Sequence, residues 1–197
     1  IISFDINSRK KIILVSIKKN IKSSEIENLG AKLFDIAKDL KFKKFQINSD
    51  FSKSNLKHLI GYFIHGFRLK SYSFQKYKTK KNIENISIEI VGKNTPNQKD
   101  RLKFKAIEEG TFLTRDLVSE PGNILHPDEY ARRLTLLKKD GLKVTVYDEK
   151  KLKKLGMNTL LGVGQGSVRG SYLVTMEWNG LKNNSKPLAF VGKGVCF

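Results

Sequence analysis

The feature that most constrains this chain is an alternation along its length. Short β-branched runs are interleaved with stretches whose apolar residues recur every three or four positions. Runs of the first kind suit strands, and the second spacing lines one apolar face of a helix. Lys11–Ile17 (KIILVSI) reads as a buried strand, and Phe42–Asn48 and Asn85–Gly92 read as the next two. Between them, Ser23 and Ser24 ahead of Glu25 and Glu27 mark a helix start. Ile26, Leu29, Leu33, Phe34, Ile36 and Leu40 then form its apolar face. Leu56, Ile60, Phe63, Ile64 and Phe67 mark a second helix.

The polar stretch Lys93–Asp100, with Pro96, punctuates the chain. A long helix follows through Leu102, Ala106, Ile107, Phe112, Leu113 and Leu117, weakened at Gly110, and Ser119–Asn123 (SEPGN) ends it. His126 to Glu129 opens another helix with Pro127 in its first turn and Tyr130, Leu134 and Leu137 on its buried face. Leu142–Asp148 is a strand, and Asp148 caps a short helix, Glu149–Leu155. Ser171–Trp178 and Pro187–Gly192 are the last two strands. The pattern predicts an α/β fold with a parallel or mixed sheet. It divides into an α/β domain over 1–93, a linking helix over 94–118 and a second unit over 119–197.

Bulk properties bound the function. No apolar run approaches the ~20 residues that span a bilayer. The opening IISFDINSRKK has no basic segment ahead of an apolar one, so it does not itself read as a secretory signal. It also lacks a starting Met, which sets the expectation that the first residues are missing. The one cysteine, Cys196, leaves no internal disulfide and fits a reducing cytoplasm. Thirty-eight basic residues against nineteen acidic give a net charge of +19, a field that favours nucleic acid and other acidic partners. The excess is lysine spread along the chain, whereas base-edge readers rely on arginine forks.

Local motifs carry little chemistry unaided. Gly162–Ser167 (GVGQGS) resembles a phosphate cradle, but Ser167 stands where the dinucleotide fingerprint needs glycine. Gly192–Gly194 (GKG) fails as a nucleotide loop, because Gly194 occupies the Ser/Thr position. His58 and His65, seven apart, fit one helix face, yet nothing nearby completes a ligand set. These two and His126 read as surface or packing residues. Cys196 reads as a small buried residue at a strand end.

Five stretches, in order, resemble one family. They are Gly66–Lys81, carrying G-x-x-L-x-x-Y-x-F-x-x-Y-K; Glu108–Ala131, carrying R-D-L-V-x-x-P-x-N-x-x-x-P; Val144–Ser167, ending in L-G-V-G-Q-G-S; Ser171–Gly180; and Pro187–Phe197. Together they are similar to the leucyl (cytosol) aminopeptidases, two-metal peptidases. The resemblance implies a macro-domain-like N-terminal α/β domain, then the incomplete beginning of the α/β catalytic domain. It implies that Lys193 coordinates the more loosely bound of two divalent ions (Mn, Zn or Mg). Only a neutral amine has a lone pair to donate, so the metal must displace the lysine's proton.

The remaining ligands implied are carboxylates, the first directly after Phe197, and no catalytic residue falls within these 197 positions. By the same resemblance the substrates are peptides shortened from the N-terminus, the assembly is a homo-hexamer in the cytoplasm, and some bacterial members bind DNA. Two functions are thus expected. The first is a metal-dependent leucyl-type aminopeptidase whose present stretch is inactive alone. The alternative is a non-catalytic basic module that binds DNA or a partner subunit.

Overall fold

The structure is a computed structural model, describing residues 1–7, 10–50, 54–81, 85–181 and 185–196. The chain divides into two compact units, Ile1–Val118 and Ser119–Phe197.

The first unit begins with a hairpin. Strands β1 (Ile2–Asn7) and β2 (Lys10–Leu14) pair antiparallel, Ile2 opposite Leu14 and Phe4 opposite Ile12, with a register slip between Asp5 and Asn7. The sequence predicted a buried strand over Lys11–Ile17, and the structure corrects this. Ile13, Val15 and Ile17 pack on the core, whereas Ile12 and Leu14 stay exposed. A two-stranded ribbon has two faces, and alternate side chains reach opposite ones.

Helix α1 (Ser23–Asp39) starts at the first of the two serines, and Lys22 ahead of it is the N-cap, whose amide donates to the Glu25 carboxylate at 2.9 Å. Its buried stripe is Ile26, Gly30, Leu33, Phe34 and Ala37. Strands β3 (Lys44–Asn48) and β4 (Ser87–Val91) pair in parallel, with α2 (Leu59–Ser71) in the crossover. Helix α2 buries Leu59, Ile60, Phe63 and Phe67 against α1, and Phe67 meets Phe34 edge to face at 5.2 Å. Burying these large side chains, each worth about 1.5–3 kcal/mol, makes the α1–α2 seam the main core of the unit.

Helix α3 (Gln98–Ser119) runs unbroken through Gly110, and none of its residues is buried. It holds to α2 by a few anchors. Phe104 lies on the bare face of Gly61, where a Cβ would strike its ring, and packs on Tyr62 at 5.0 Å. Tyr72 meets the Phe112 ring and donates to Asp116 at 2.8 Å. Arg115 donates to the Leu69 carbonyl.

The second unit opens with a turn in which the amides of Ile124 and Leu125 donate to Pro121 O, both at 2.9 Å. Helix α4 (Pro127–Thr135) follows with Pro127 in its first turn, where a missing N–H costs nothing. Its buried residue is Ala131, while Tyr130 and Leu134 are half-buried. A 3-10 turn, Leu136–Asp140, ends at Gly141, whose φ of 90° suits glycine. Strand β5 (Lys143–Tyr147) pairs antiparallel with β6 (Leu173–Glu177). Asp148 caps α5 (Glu149–Lys154), accepting from Lys151 N at 2.9 Å. Leu125, Ala131, Val144 and Leu152 are the buried apolar residues of the second unit among those described.

Two further expectations change. The strands form three separate two-stranded sheets, one parallel and two antiparallel. The segment predicted as a strand at Pro187–Gly192 pairs with nothing among the described residues, and Leu188, Phe190 and Val191 are exposed. Apolar alternation gives strand propensity, but a strand exists only where a neighbour accepts its ladder.

Candidate functional site

Lys193 lies in the irregular segment 185–196 and is exposed. The next residue, Gly194, sits against the Tyr130 ring of α4, where an added Cβ would come within 2.7 Å of the ring edge. Glycine there lets the backbone approach the ring where a side chain would collide with it. The chain carrying Lys193 is thus fixed to the first turns of α4. Cys196, half-buried rather than at a strand end, closes the segment. Burial and the negative charge of Asp128 both push its thiol above the ordinary value, which disfavours a nucleophilic role. Phe197 lies outside the described residues.

Helix α4 is bordered by a charge network that sequence reading did not assemble. His126, at its N-cap, shares a short hydrogen bond through Nδ1 with Asp128, and Arg169 reaches the same carboxylate at 3.3 Å. Burial works against ionisation of Asp128. A backbone hydrogen bond, His126 and Arg169 together still hold it below the usual carboxylate range. Glu129 accepts from Arg132 at 2.6 Å and from Arg133 at 2.8 Å, and these two bonds, Arg132 first, pull its carboxyl down to about 2. Arg133 also donates at 2.8 Å to Glu120, whose side chain is 2% exposed. This bond ties the Ser119–Asn123 turn to α4. The spacing of Glu129, Arg132 and Arg133 shows half of the network. Glu120 is invisible at that level because it is brought in by the fold of the turn.

The three histidines stay apart from one another in role. His58 precedes α2 and meets Asp100 at 2.7 Å, and His65 is buried in α2 with Glu27 at 2.9 Å. Each is paired with one carboxylate, and among the described residues no three His, Cys, Asp or Glu side chains form a metal-holding group. The glycine-rich Gly162–Ser167 run turns out to end a helix, α6 (Asn158–Gly164), which sequence reading missed. It therefore presents carbonyls, the wrong pole for phosphate.

Comparison with known proteins bears on this arrangement. Residues 112–197 match the catalytic domain of the cytosol aminopeptidase family. A probable cytosol aminopeptidase of Brucella melitensis is 50% identical over 139 residues, covering 67% of this chain and 29% of the relative. That of Phytoplasma mali is 48% identical over 143 residues, covering 68% and 29%. That of a Bradyrhizobium species is 44% identical over 137 residues, covering 67% and 28%. The matched stretch thus spans under a third of those relatives.

Among solved structures, a mutant of tomato leucine aminopeptidase aligns with TM-score 0.68 at 18% identity over 78% of this chain and 32% of that one. The bottromycin maturation enzyme BotP in complex with Mn aligns with TM-score 0.65 at 22% identity over 80% and 34%. These two establish a shared fold. With up to half of the positions identical along two thirds of its length, the chain belongs to the cytosol aminopeptidase family.

Proposed function

We propose that this chain forms the N-terminal part of a metal-dependent aminopeptidase that removes residues, leucine among them, from the N-termini of peptides. The observation that carries the reading is the near-half identity to proteins named cytosol aminopeptidase. A fold neighbour bound to Mn and another named leucine aminopeptidase support metal dependence and the leucine preference. Cytosolic placement and a homo-hexamer belong to the same proposal. Among the described residues no helix is long and apolar enough to cross a membrane.

The described residues alone do not fit a two-metal centre, because Lys193 offers one donor and no group of three His, Cys, Asp or Glu stands with it. The carboxylate ligands would come from sequence that the relatives carry beyond the matched stretch. A bound divalent ion would supply Lewis-acid activation of water and carbonyl. What this chain contributes is position: Gly194 against Tyr130 fixes the backbone beside Lys193, and the Glu120–Arg133 pair holds the turn ahead of α4.

The test uses the full-length natural protein with a leucyl amide substrate. A chelator should abolish release of leucine, and a divalent metal should restore it. Loss of even an outer-sphere partner costs metal sites about 10- to 100-fold, so Lys193→Met should weaken binding of one equivalent of metal by more than that. Release of leucine that survives exhaustive chelation would overturn the metal reading. Unchanged metal stoichiometry in Lys193→Met would remove Lys193 from the ligand set.

A further inference from the structure

The first unit holds a cleft of about 370 Å3 between α2, β4 and the first half of α3, within the size range of small-molecule sites. Its floor is apolar: Ile64, Ile88, Ile90 and Phe104 line it. The rim is cationic, with Arg68, Arg101 and Lys105 facing one carboxylate, Glu108. Those cations are not used up by the fold. Arg68 has no ion pair among the described residues. Arg101 spends only Nε, which donates to Pro96 O at 2.9 Å. Lys105 faces Glu109 at 3.7 Å across solvent, both side chains being about two-thirds exposed, an arrangement that contributes little.

One wall residue adds an independent observation. His65 is 6% exposed, and its Nδ1 is taken by Glu27. Its Nε2 is the one buried side-chain nitrogen or oxygen without a hydrogen-bond partner among the described residues. Such orphans are rare and costly, and this one is enclosed in the wall of the cleft.

We propose that the cleft binds a small organic phosphate monoester, with its phosphoryl group at the Arg68–Arg101–Lys105 rim and its apolar body on Ile88, Ile90 and Phe104. Three cations against one carboxylate suit a dianion better than a carboxylate ligand, and guanidinium forks match phosphoryl oxygens in pairs. The apolar floor selects for an organic group, which inorganic phosphate lacks. This site lies wholly within the first unit and does not depend on the peptidase reading.

The experiment is calorimetric titration of the full-length natural protein with phenyl phosphate, inorganic phosphate and benzyl alcohol as probes. Phenyl phosphate should bind saturably at one site, and both other probes about tenfold or more weaker. Arg68→Gln removes a charge-assisted contact and should weaken phenyl phosphate by about tenfold. Lys105→Gln, at an exposed helix position, keeps the test open if the arginine variant misfolds, and should weaken binding about threefold or more. Binding should persist in Lys193→Met, which separates this site from any metal centre. Equal affinity for phenyl and inorganic phosphate would mean a diffuse basic surface and overturn the proposal. So would equal binding of benzyl alcohol, or unchanged affinity in Lys105→Gln.

Discussion

Replacing Gly66 by alanine sets two effects of opposite sign against each other. In an exposed helix interior the change stabilises by about 0.5–1 kcal/mol, because glycine loses more backbone entropy on folding. Gly66, however, faces the backbone of α1, and an added Cβ would stand 2.6 Å from Glu27 Cα and closer still to the Glu27 carbonyl. Gly30 makes the mirror contact, its Cβ falling 2.9 Å from the Phe63 carbonyl carbon. The obstruction is main chain in both cases, so no rotamer change relieves it. Ordinary carbon contacts lie at about 3.5–4.0 Å, so the helices would part by about 1 Å. A gap of that size forfeits a quarter to half of each contact it opens, and the contacts opened include Ile26, Phe34, Phe63 and Phe67.

With overpacking at about 1–3 kcal/mol and a backbone obstruction at its upper end, we expect Gly66→Ala to lose about 2 kcal/mol net. In urea, where m is about 1–3 kcal/mol/M, the midpoint of the unfolding transition should fall by about 1 M. Gly110→Ala is the internal control, since nothing lies within 4 Å of a Cβ there, and it should raise the midpoint slightly. If both substitutions raise it, the α1–α2 approach is not the close one described and the reasoning fails.

Arg133→Met removes the charge-assisted bond to the buried Glu120 carboxylate and should cost the second unit about 2 kcal/mol; thermal unfolding measures it. The carboxyl of Glu129 is held at about 2 against an ordinary 4.5. Its depressed value contributes stability that is fully present above pH 4.5 and is lost as pH falls towards 2, so Glu129→Gln should flatten the acid limb of the stability profile in that window. Asp148→Ala removes the cap of α5 and should cost about 1 kcal/mol, read as faster amide exchange at Lys151.

Most of the helices and inner strands were legible because each carries its own period. Phe63 and Phe67 sit four apart on one side of α2, and Val144 and Val146 alternate along β5, without help from distant residues. The misses share a cause. Whether Ile12 is buried or exposed depends on what lies beyond the ribbon, and whether Pro187–Gly192 is a strand depends on a pairing neighbour; neither is a local property. Helix α6 was hidden by its own glycines, whose low propensity argues against a helix. For the candidate site, Lys193 stands out only through the family resemblance. The contact of neighbouring Gly194 with Tyr130 and the Glu120–Arg133 bond came only with the fold.

The parallel pairing of β3 with β4 also governs when the protein can become whole. Lys44 meets Ser87, so during synthesis β3 emerges and must wait for 43 more residues before its partner exists. At ~5–20 residues per second that interval is roughly 2–9 s, whereas β1 and β2 close a hairpin in microseconds. Through those seconds the amides of β3 stay unpaired beside a forming α1–α2 seam. A nascent chain paused between Asp50 and Ser87 is the species most exposed to pairing with the wrong strand, and slow translation there would be a hazard to yield rather than to stability.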